Sequence, residues 1–328
     1  MITKSAATIY RALTLTVIFA SHLSLSVSQA QTYPERAIRI VVGTTPGTPT
    51  DIVSRIIASE LQKAEGWVVV VENKAGAINT IGARDVIQAP ADGYSIFAAS
   101  MPITASGALL DGSPVNMVRD FAPVIKASVS YNVLVTKPTL TVNSMKDLVE
   151  LLKKNPGKLN YSSGGHGTPA HLVGELFKLQ AKVDAVHVPY QQLPQAIQDL
   201  IGGSNDYMFV TTLPVVDLVA NGNLKALAVT SSKPLTAFKG VPSVVDQGFP
   251  DLAVTDWVGF LMRQGTSPQI IERINLAINK ALQSPTVREA MHRIGADVEG
   301  GTPGEFGVFV AGQVKQWEGV VRSANIKM

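Results

Sequence analysis

Residues 38–63 read IRIVVGTTPGTPTDIVSRIIASELQK, and the change of period within them decides the fold class. Ile38 to Val42 is an apolar, mostly β-branched run, the pattern of a buried strand. From Thr50 to Lys63 the apolar positions Ile52, Val53, Ile56, Ile57 and Leu61 recur at helical spacing. Between them lies Gly43-Thr44-Thr45-Pro46-Gly47-Thr48-Pro49, too rich in Gly and Pro to continue either element. Strand, glycine loop and amphipathic helix make one βα unit, which on repetition builds the sheets of an α/β protein.

The unit repeats. Val68 to Glu72 reads as a strand, Thr80 to Gln88 as a helix ending before Pro90, and Tyr94 to Ala99 as a third strand after the Asp92-Gly93 turn. The periodicity assigns no element between Ala99 and Asn132. It restarts with strand Asn132 to Thr136 and a helix capped by Ser144 and stopped at Pro156-Gly157. Strands Leu159 to Ser162, Ala185 to Pro189, Tyr207 to Val210 and Ala226 to Thr230 then alternate with helices Pro169 to Ala181, Leu193 to Ile201 and one ending near Gly222. The Pro- and Gly-rich stretch 234–250 reads as irregular structure returning to the first set of elements, followed by strand Asp256 to Met262. Ser267-Pro268 opens a helix with Ile270, Ile271, Ile274, Ile278 and Leu282 inward. Thr302 and Glu305 form a capping box for a last helix whose apolar side is Phe306, Phe309, Val310, Val314 and Trp317. The expectation is α/β with mostly parallel sheets. Domain 1 comprises 31–131 plus 251–328, and domain 2, 132–250, is inserted into it.

The first thirty residues carry Lys4 and Arg11, no acid, an apolar stretch from about Ala12 to Val27 and then Ser28-Gln29-Ala30. This is the pattern of a secretory signal cleaved after Ala30; Ser21, His22, Ser24 and Ser26 leave it short of a membrane-spanning helix. The chain has no cysteine, which excludes a disulfide scaffold, a thiolate metal site and a thiol nucleophile. Removing the signal takes Lys plus Arg from 28 to 26, against 25 Asp plus Glu, so charge gives no reason to expect nucleic acid.

Two loops have the makings of an anion site, each after a strand and before a helix, where backbone donors and the helix dipole favour negative charge. The first is the loop above, continuing through Thr50 and Asp51; it also reads simply as a turn capped by Thr50. The second is Ser162-Ser163-Gly164-Gly165-His166-Gly167-Thr168-Pro169, whose glycines let a ligand approach the backbone. Gly165-x-Gly167-x-x-Ala170 matches a dinucleotide fingerprint, but the acid expected about 20 residues on as a ribose partner is not well placed: Asp184 comes too early, and Val186 to Pro189 is apolar apart from His187. His166 and His171 lack a carboxylate in a metalloprotease pattern, and His187 and His292 are remote in sequence, so no metal is expected. His166 reads as a loop residue beside the ligand and His171 as a helix residue supporting the loop. Ser100, Tyr190, Thr211, Thr212 and Trp257 follow or border other strands and are candidates to complete a pocket; each also reads as a core or capping residue.

These motifs, in order, resemble the Bug family, the extracytoplasmic receptors of tripartite tricarboxylate transporters. The resemblance rests on Tyr33-Pro34, Ile38-Arg39-Ile40-Val41-Val42, Pro46-Gly47 with Thr50-Asp51-Ile52-Val53, Val70-Val71-Glu72-Asn73-Lys74-Ala75-Gly76-Ala77 and Ala91-Asp92-Gly93-Tyr94. It continues through Pro156-Gly157-Lys158-Leu159-Asn160-Tyr161-Ser162-Ser163-Gly164, Gly167-Thr168, His171-Leu172, Glu175-Leu176-Phe177 and Val188-Pro189-Tyr190. It implies a two-lobed periplasmic binding protein fold of type II, with Rossmann-like domains joined by crossing hinge strands that close on a small carboxylate. By position the implied contacts are Pro46, Gly47, Thr48, Thr50 and Asp51, and Ser162, Ser163, Gly164, Gly167 and Thr168. Thr48 and Pro49 stand where the family usually has glycines, and Gln191-Gln192 replace a usual Lys-Gly after Tyr190.

The expectation is therefore a non-catalytic periplasmic receptor, using no cofactor, that binds a small carboxylated ligand and serves membrane permease subunits as a monomer. The rivals are a secreted hydrolase with a Ser/His/Asp set assembled in space, a nucleotide-dependent enzyme, and a receptor feeding a signalling partner.

Overall fold

The computed structural model describes residues 33–110 and 112–327; the expected signal peptide lies outside them. The elements below all fall within Arg36–Met328, one of the two units into which the chain divides. The strands are β1 Ile38–Val42, β2 Val69–Asn73, β3 Ser95–Ser100, β4 Phe121–Ser130, β5 Asn132–Thr136, β6 Asn160–Ser163, β7 Val186–Pro189, β8 Tyr207–Thr211, β9 Lys225–Val229, β10 Asp256–Arg263 and β11 Asp297–Val298. The helices are α1 Pro49–Glu65, α2 Thr80–Gln88, α3 Ser106–Leu109, α4 Met145–Lys154, α5 Pro169–Ala181, α6 Leu193–Ile201, α7 Val216–Ala220, α8 Pro268–Gln283, α9 Pro285–Arg293 and α10 Pro303–Ser323. Among the described residues no helix is long and apolar enough to cross a membrane.

Two sheets result, ordered β11-β4-β10-β3-β1-β2 and β7-β6-β8-β5-β9. Both are mixed, which corrects the mostly parallel expectation. The βα-wound pairs β1–β2, β1–β3, β6–β7 and β6–β8 are parallel. The strands next to the passages between sheets run antiparallel to their neighbours: β10 against β3 and β4, and β5 against β8 and β9. The physical reason is connectivity. A strand that enters from the other sheet has no crossover helix to turn it parallel. The chain passes to the second sheet between β4 and β5 through Tyr131 alone, and β10 returns to pair beside β4.

Local signals fix the helix ends. Pro49 is the first residue of α1 with Thr48 as its N-cap, not Thr50, and Gly66 ends it in a left-handed conformation at φ 71° with its N–H on the Gln62 carbonyl. Ser267 caps α8, and the Thr302–Glu305 capping box opens α10. Ile270 and Ile271 are only partly covered; the buried side of α8 is Ile274, Ala277, Ile278, Ala281 and Leu282. Alternation divides the second sheet. Leu134, Tyr161 and Phe209 join the main core with Leu148 and Phe177, while Val133, Val135, Met208 and Val210 face Ala196, Ile197 and Leu200 of α6.

Candidate functional site

Two strand–loop–helix corners face a cavity of about 590 Å³, within the usual range for small-molecule sites. At the first corner, Thr48 Oγ1 is 2.6 Å from Thr44 Oγ1 and donates to the Thr45 carbonyl at 3.0 Å, closing the loop. Asp51 points away from the cavity. It is 3% exposed and accepts from the Gly47 amide at 2.9 Å, Asn73 Nδ2 at 2.9 Å and Arg55 Nε at 3.0 Å. Burial alone would raise its pKa, but the bonds from Arg55, Gly47 and Asn73 win and hold it below the usual carboxylate value.

The second corner is built alike. Thr168 is the N-cap of α5, Pro169 its first residue, and Thr168 Oγ1 donates to the Gly165 carbonyl at 2.7 Å. The Gly167 amide donates to His171 Nδ1 at 3.0 Å, so His171 supports the loop as its position suggested. This changes how an anion would be held: the amides of Gly47 and Gly167 are both committed to protein acceptors. The free donors are those that helix geometry leaves without intrahelical acceptors, the first-turn amides of Thr50 and Asp51 in α1 and of Ala170 and His171 in α5. Pro49 removes one such donor at the first helical position, as Pro169 does in the other corner.

Of the residues singled out from the sequence, Gly47, Thr48, Thr50, Ser100, Gly167, Thr168, Thr211 and Thr212 line the cavity, with His166 and Trp257. Pro46, Asp51, Ser162, Ser163, Gly164 and Tyr190 do not. Ser162 and Ser163 are wholly buried beneath the second loop, and the Tyr190 hydroxyl donates to Asp199 Oδ2 at 2.7 Å. Trp257 is both core and wall: it is 1% exposed, its Nε1 donates to Gln313 at 3.2 Å and its ring packs edge-on against Phe306.

Sequence reasoning missed Ile78, Asn79, Ser128, Ser130, Asp256 and Gly295 among the lining residues. Ala77, Ile78 and Asn79 take left-handed conformations in succession, at φ 44°, 51° and 67°. That is costly for a β-branched residue, and it turns this segment into the cavity against Gly43, where a Cβ would lie 2.6 Å from that of Asn79. Gly-Ala-Ile-Asn carries no propensity signal for such a turn beyond its glycine and asparagine.

The structure also brings His187 to His166 and His171. Donor nitrogens of the three rings lie within 4.8 Å of one another; the His171 and His187 rings stack at 4.0 Å, and His166 meets both edge-on. Burial is the main cause that lowers His171 to about 4 and His187 to about 3, keeping both neutral. As metal ligands they are compromised: His171 Nδ1 is accepting an amide proton, which places its own proton on Nε2. His187 Nε2 is 2.7 Å from Ser163 Oγ, the contact a hydrolase would use. Here the hydroxyl is fully buried, no carboxylate is hydrogen-bonded to His187 among the described residues, and so weak a base is a poor proton acceptor near neutrality. The pair braces the second loop, with Ser163 also accepting the Gly165 amide at 3.1 Å.

The sequence and fold are similar to those of proteins already known. The chain is 35% identical over 301 residues to the protein BugT of Bordetella pertussis, covering 91% of this chain and 92% of that one. The solved structure of R. palustris Rpa4515 with adipate superposes with a TM-score of 0.78 at 28% identity, covering 90% of this chain and all of the other. MatC (Rpa3494) from Rhodopseudomonas palustris with bound malate superposes at 0.76 with 27% identity, covering 88% of this chain and all of the other. The sequence model described as tripartite tricarboxylate transporter family receptor matches residues 53–326, and the chain belongs to that family.

Proposed function

We propose that the chain is a periplasmic solute receptor that captures a small carboxylated molecule in the cavity and delivers it to the membrane subunits of a tripartite transporter. The observation that carries this is the convergence of two helix N-termini, α1 and α5, on one cavity whose lining holds no Lys or Arg. Neutral donors at positive helix ends replace the hydration of a carboxylate without fixing a permanent counter-ion. Each charge-assisted bond contributes about 1.5–3 kcal/mol, and micromolar binding needs about 8 kcal/mol, so roughly four donors suffice. The first-turn amides with the hydroxyls of Thr50, Thr211 and Thr212 supply that number, the hydroxyls of Thr48 and Thr168 being already committed to loop carbonyls. The bound adipate of Rpa4515 and malate of MatC support an acid as the ligand class.

In this reading 31–131 with 251–328 form one lobe and 132–250 the other, and the passages around Tyr131 and before β10 act as the hinge. A Cβ on Gly167 would sit 3.5 Å from Ile78, and one on Gly295 3.1 Å from Thr212 Oγ1, so the lobe rims meet closely. Differential affinity for the closed form would couple binding to closure. The same reading has the signal removed after Ala30 and the receptor working as a monomer in the periplasm.

Thermal unfolding against a panel of mono-, di- and tricarboxylates tests it. A true ligand at 100 times its Kd raises stability by about 2.7 kcal/mol. A panel in which no acid moves the midpoint, while neutral or cationic solutes do, overturns the assignment.

A further inference from the structure

Asp256 is the feature of the cavity that binding of a simple acid does not use. It opens β10, pairs with Ser130 of β4, and lines the cavity with Ser128 and Ser100 on the flanking strands. Its Oδ1 accepts the amide of its own neighbour Trp257 at 3.1 Å. Among the described residues no Lys, Arg or His forms an ion pair or hydrogen bond with it, and His166 is the only other titratable side chain in the lining. Part of the carboxyl faces the cavity, but protein surrounds its other sides, and burial pushes it up to about 7. An acid held this way, with one backbone amide and no cation among the described residues to balance it, is destabilising unless something in the cavity satisfies it.

We propose, building on the reading of the cavity as an acid-binding cleft, that Asp256 is the counter-group for a positively charged nitrogen and that the ligand is an amino-bearing organic acid. The two poles of the cavity are separate in the fold. The positive poles are the N-termini of α1 and α5, on loops after β1 and β6; the negative pole is a side chain on a returning strand. The rest of the lining includes the apolar side chains Ile78, Pro102, Leu213, Pro214 and Ile294. A carboxylate at the helix ends, a hydrocarbon or aromatic body against those side chains and an ammonium at Asp256 match this set of groups. A diacid would set its second carboxylate against Asp256, which costs binding through like-charge repulsion or through protonation of one of the pair.

The test is calorimetric titration of the exported protein at neutral pH with two series matched in length and differing at the far end. They are 6-aminohexanoate, heptanoate and adipate, and 4-(aminomethyl)benzoate, 4-ethylbenzoate and terephthalate. In at least one series the ammonium member is expected to bind tenfold or more tightly than either other member. Asp256→Asn removes that preference, the ammonium member losing tenfold or more relative to the methyl-ended member of its own series. Asp256→Ser, checked with its thermal midpoint, serves as the second variant should the asparagine disturb the fold. If the methyl-ended acids or diacids bind as well as or better than the ammonium acids, the assignment of Asp256 is overturned and the acid-binding cleft stands. If none of the six binds, both are overturned.

Discussion

Lowering the pH from 7.5 to 5.0 sets two parts of the site against each other. His171 and His187 are held at about 4 and about 3, below the ordinary 6.5. Their folded-state pKa values are depressed, so the unfolded chain binds more protons as pH falls through 6.5, and their stabilising contribution, full above that value, erodes. By pH 5.0 each has cost about 2 kcal/mol, or about 4 kcal/mol together. Asp256 works in the opposite sense. Raised from 3.8 to about 7, it takes up its proton in the folded state first, and over the same interval returns about 2 to 3 kcal/mol. The lowered carboxylates, Asp51 and Asp85 among them, lose their contribution only as pH falls below about 4, outside the window. The wild-type protein is therefore expected to lose only about 1 to 2 kcal/mol between pH 7.5 and 5.0. Asp256→Asn should lose about 4, and a His171→Gln/His187→Gln variant should gain about 2 to 3 kcal/mol. Urea unfolding followed by tryptophan fluorescence at constant salt measures all three. Parallel pH profiles for wild type and both variants would refute the opposed-titration account.

Gly167 sits at φ 71° beside Ile78, so Gly167→Val should cost at least about 1–2 kcal/mol locally and reduce acid binding more than tenfold by titration calorimetry. Ser163→Ala removes bonds to His187 and Gly165 under the loop; it should lower stability by about 1–3 kcal/mol and weaken binding less than Gly167→Val does. Gly259→Ala would bring a Cβ to 2.2 Å from Phe306 Cζ; overpacking of this kind costs about 1–3 kcal/mol, read as a lower urea midpoint at unchanged slope. Thr302→Ala breaks the capping box of α10 outside the cavity lining and should cost about 1 kcal/mol in stability with ligand affinity unaltered.

Where a feature depended on neighbours in the chain, the sequence was a good guide. Helices Thr80–Gln88, Pro169–Ala181 and Leu193–Ile201 and strand Asn132–Thr136 match the periodic signals residue for residue. The ten-residue strand Phe121–Ser130 did not register, because Pro123 and Lys126 interrupt it and two register shifts against β10 break the alternation. Helix Pro285–Arg293, with only Val287 and Met291 buried, shows too thin an apolar stripe to stand out.

The sequence by itself determined that βα units recur, that each of two glycine loops leads into a helix, and which face of most elements is apolar. These follow from backbone sterics and side-chain period, which act over a few residues. Only the tertiary structure decided that His187 stacks on His171, that Ser163 lies beneath the loop rather than in the cavity, and that Asp256 lines the cavity with no cationic partner among the described residues. Those facts depend on which strands lie side by side and where β10 returns between β3 and β4. Sheet order and register are set by pairing between residues more than a hundred positions apart, which no local period encodes.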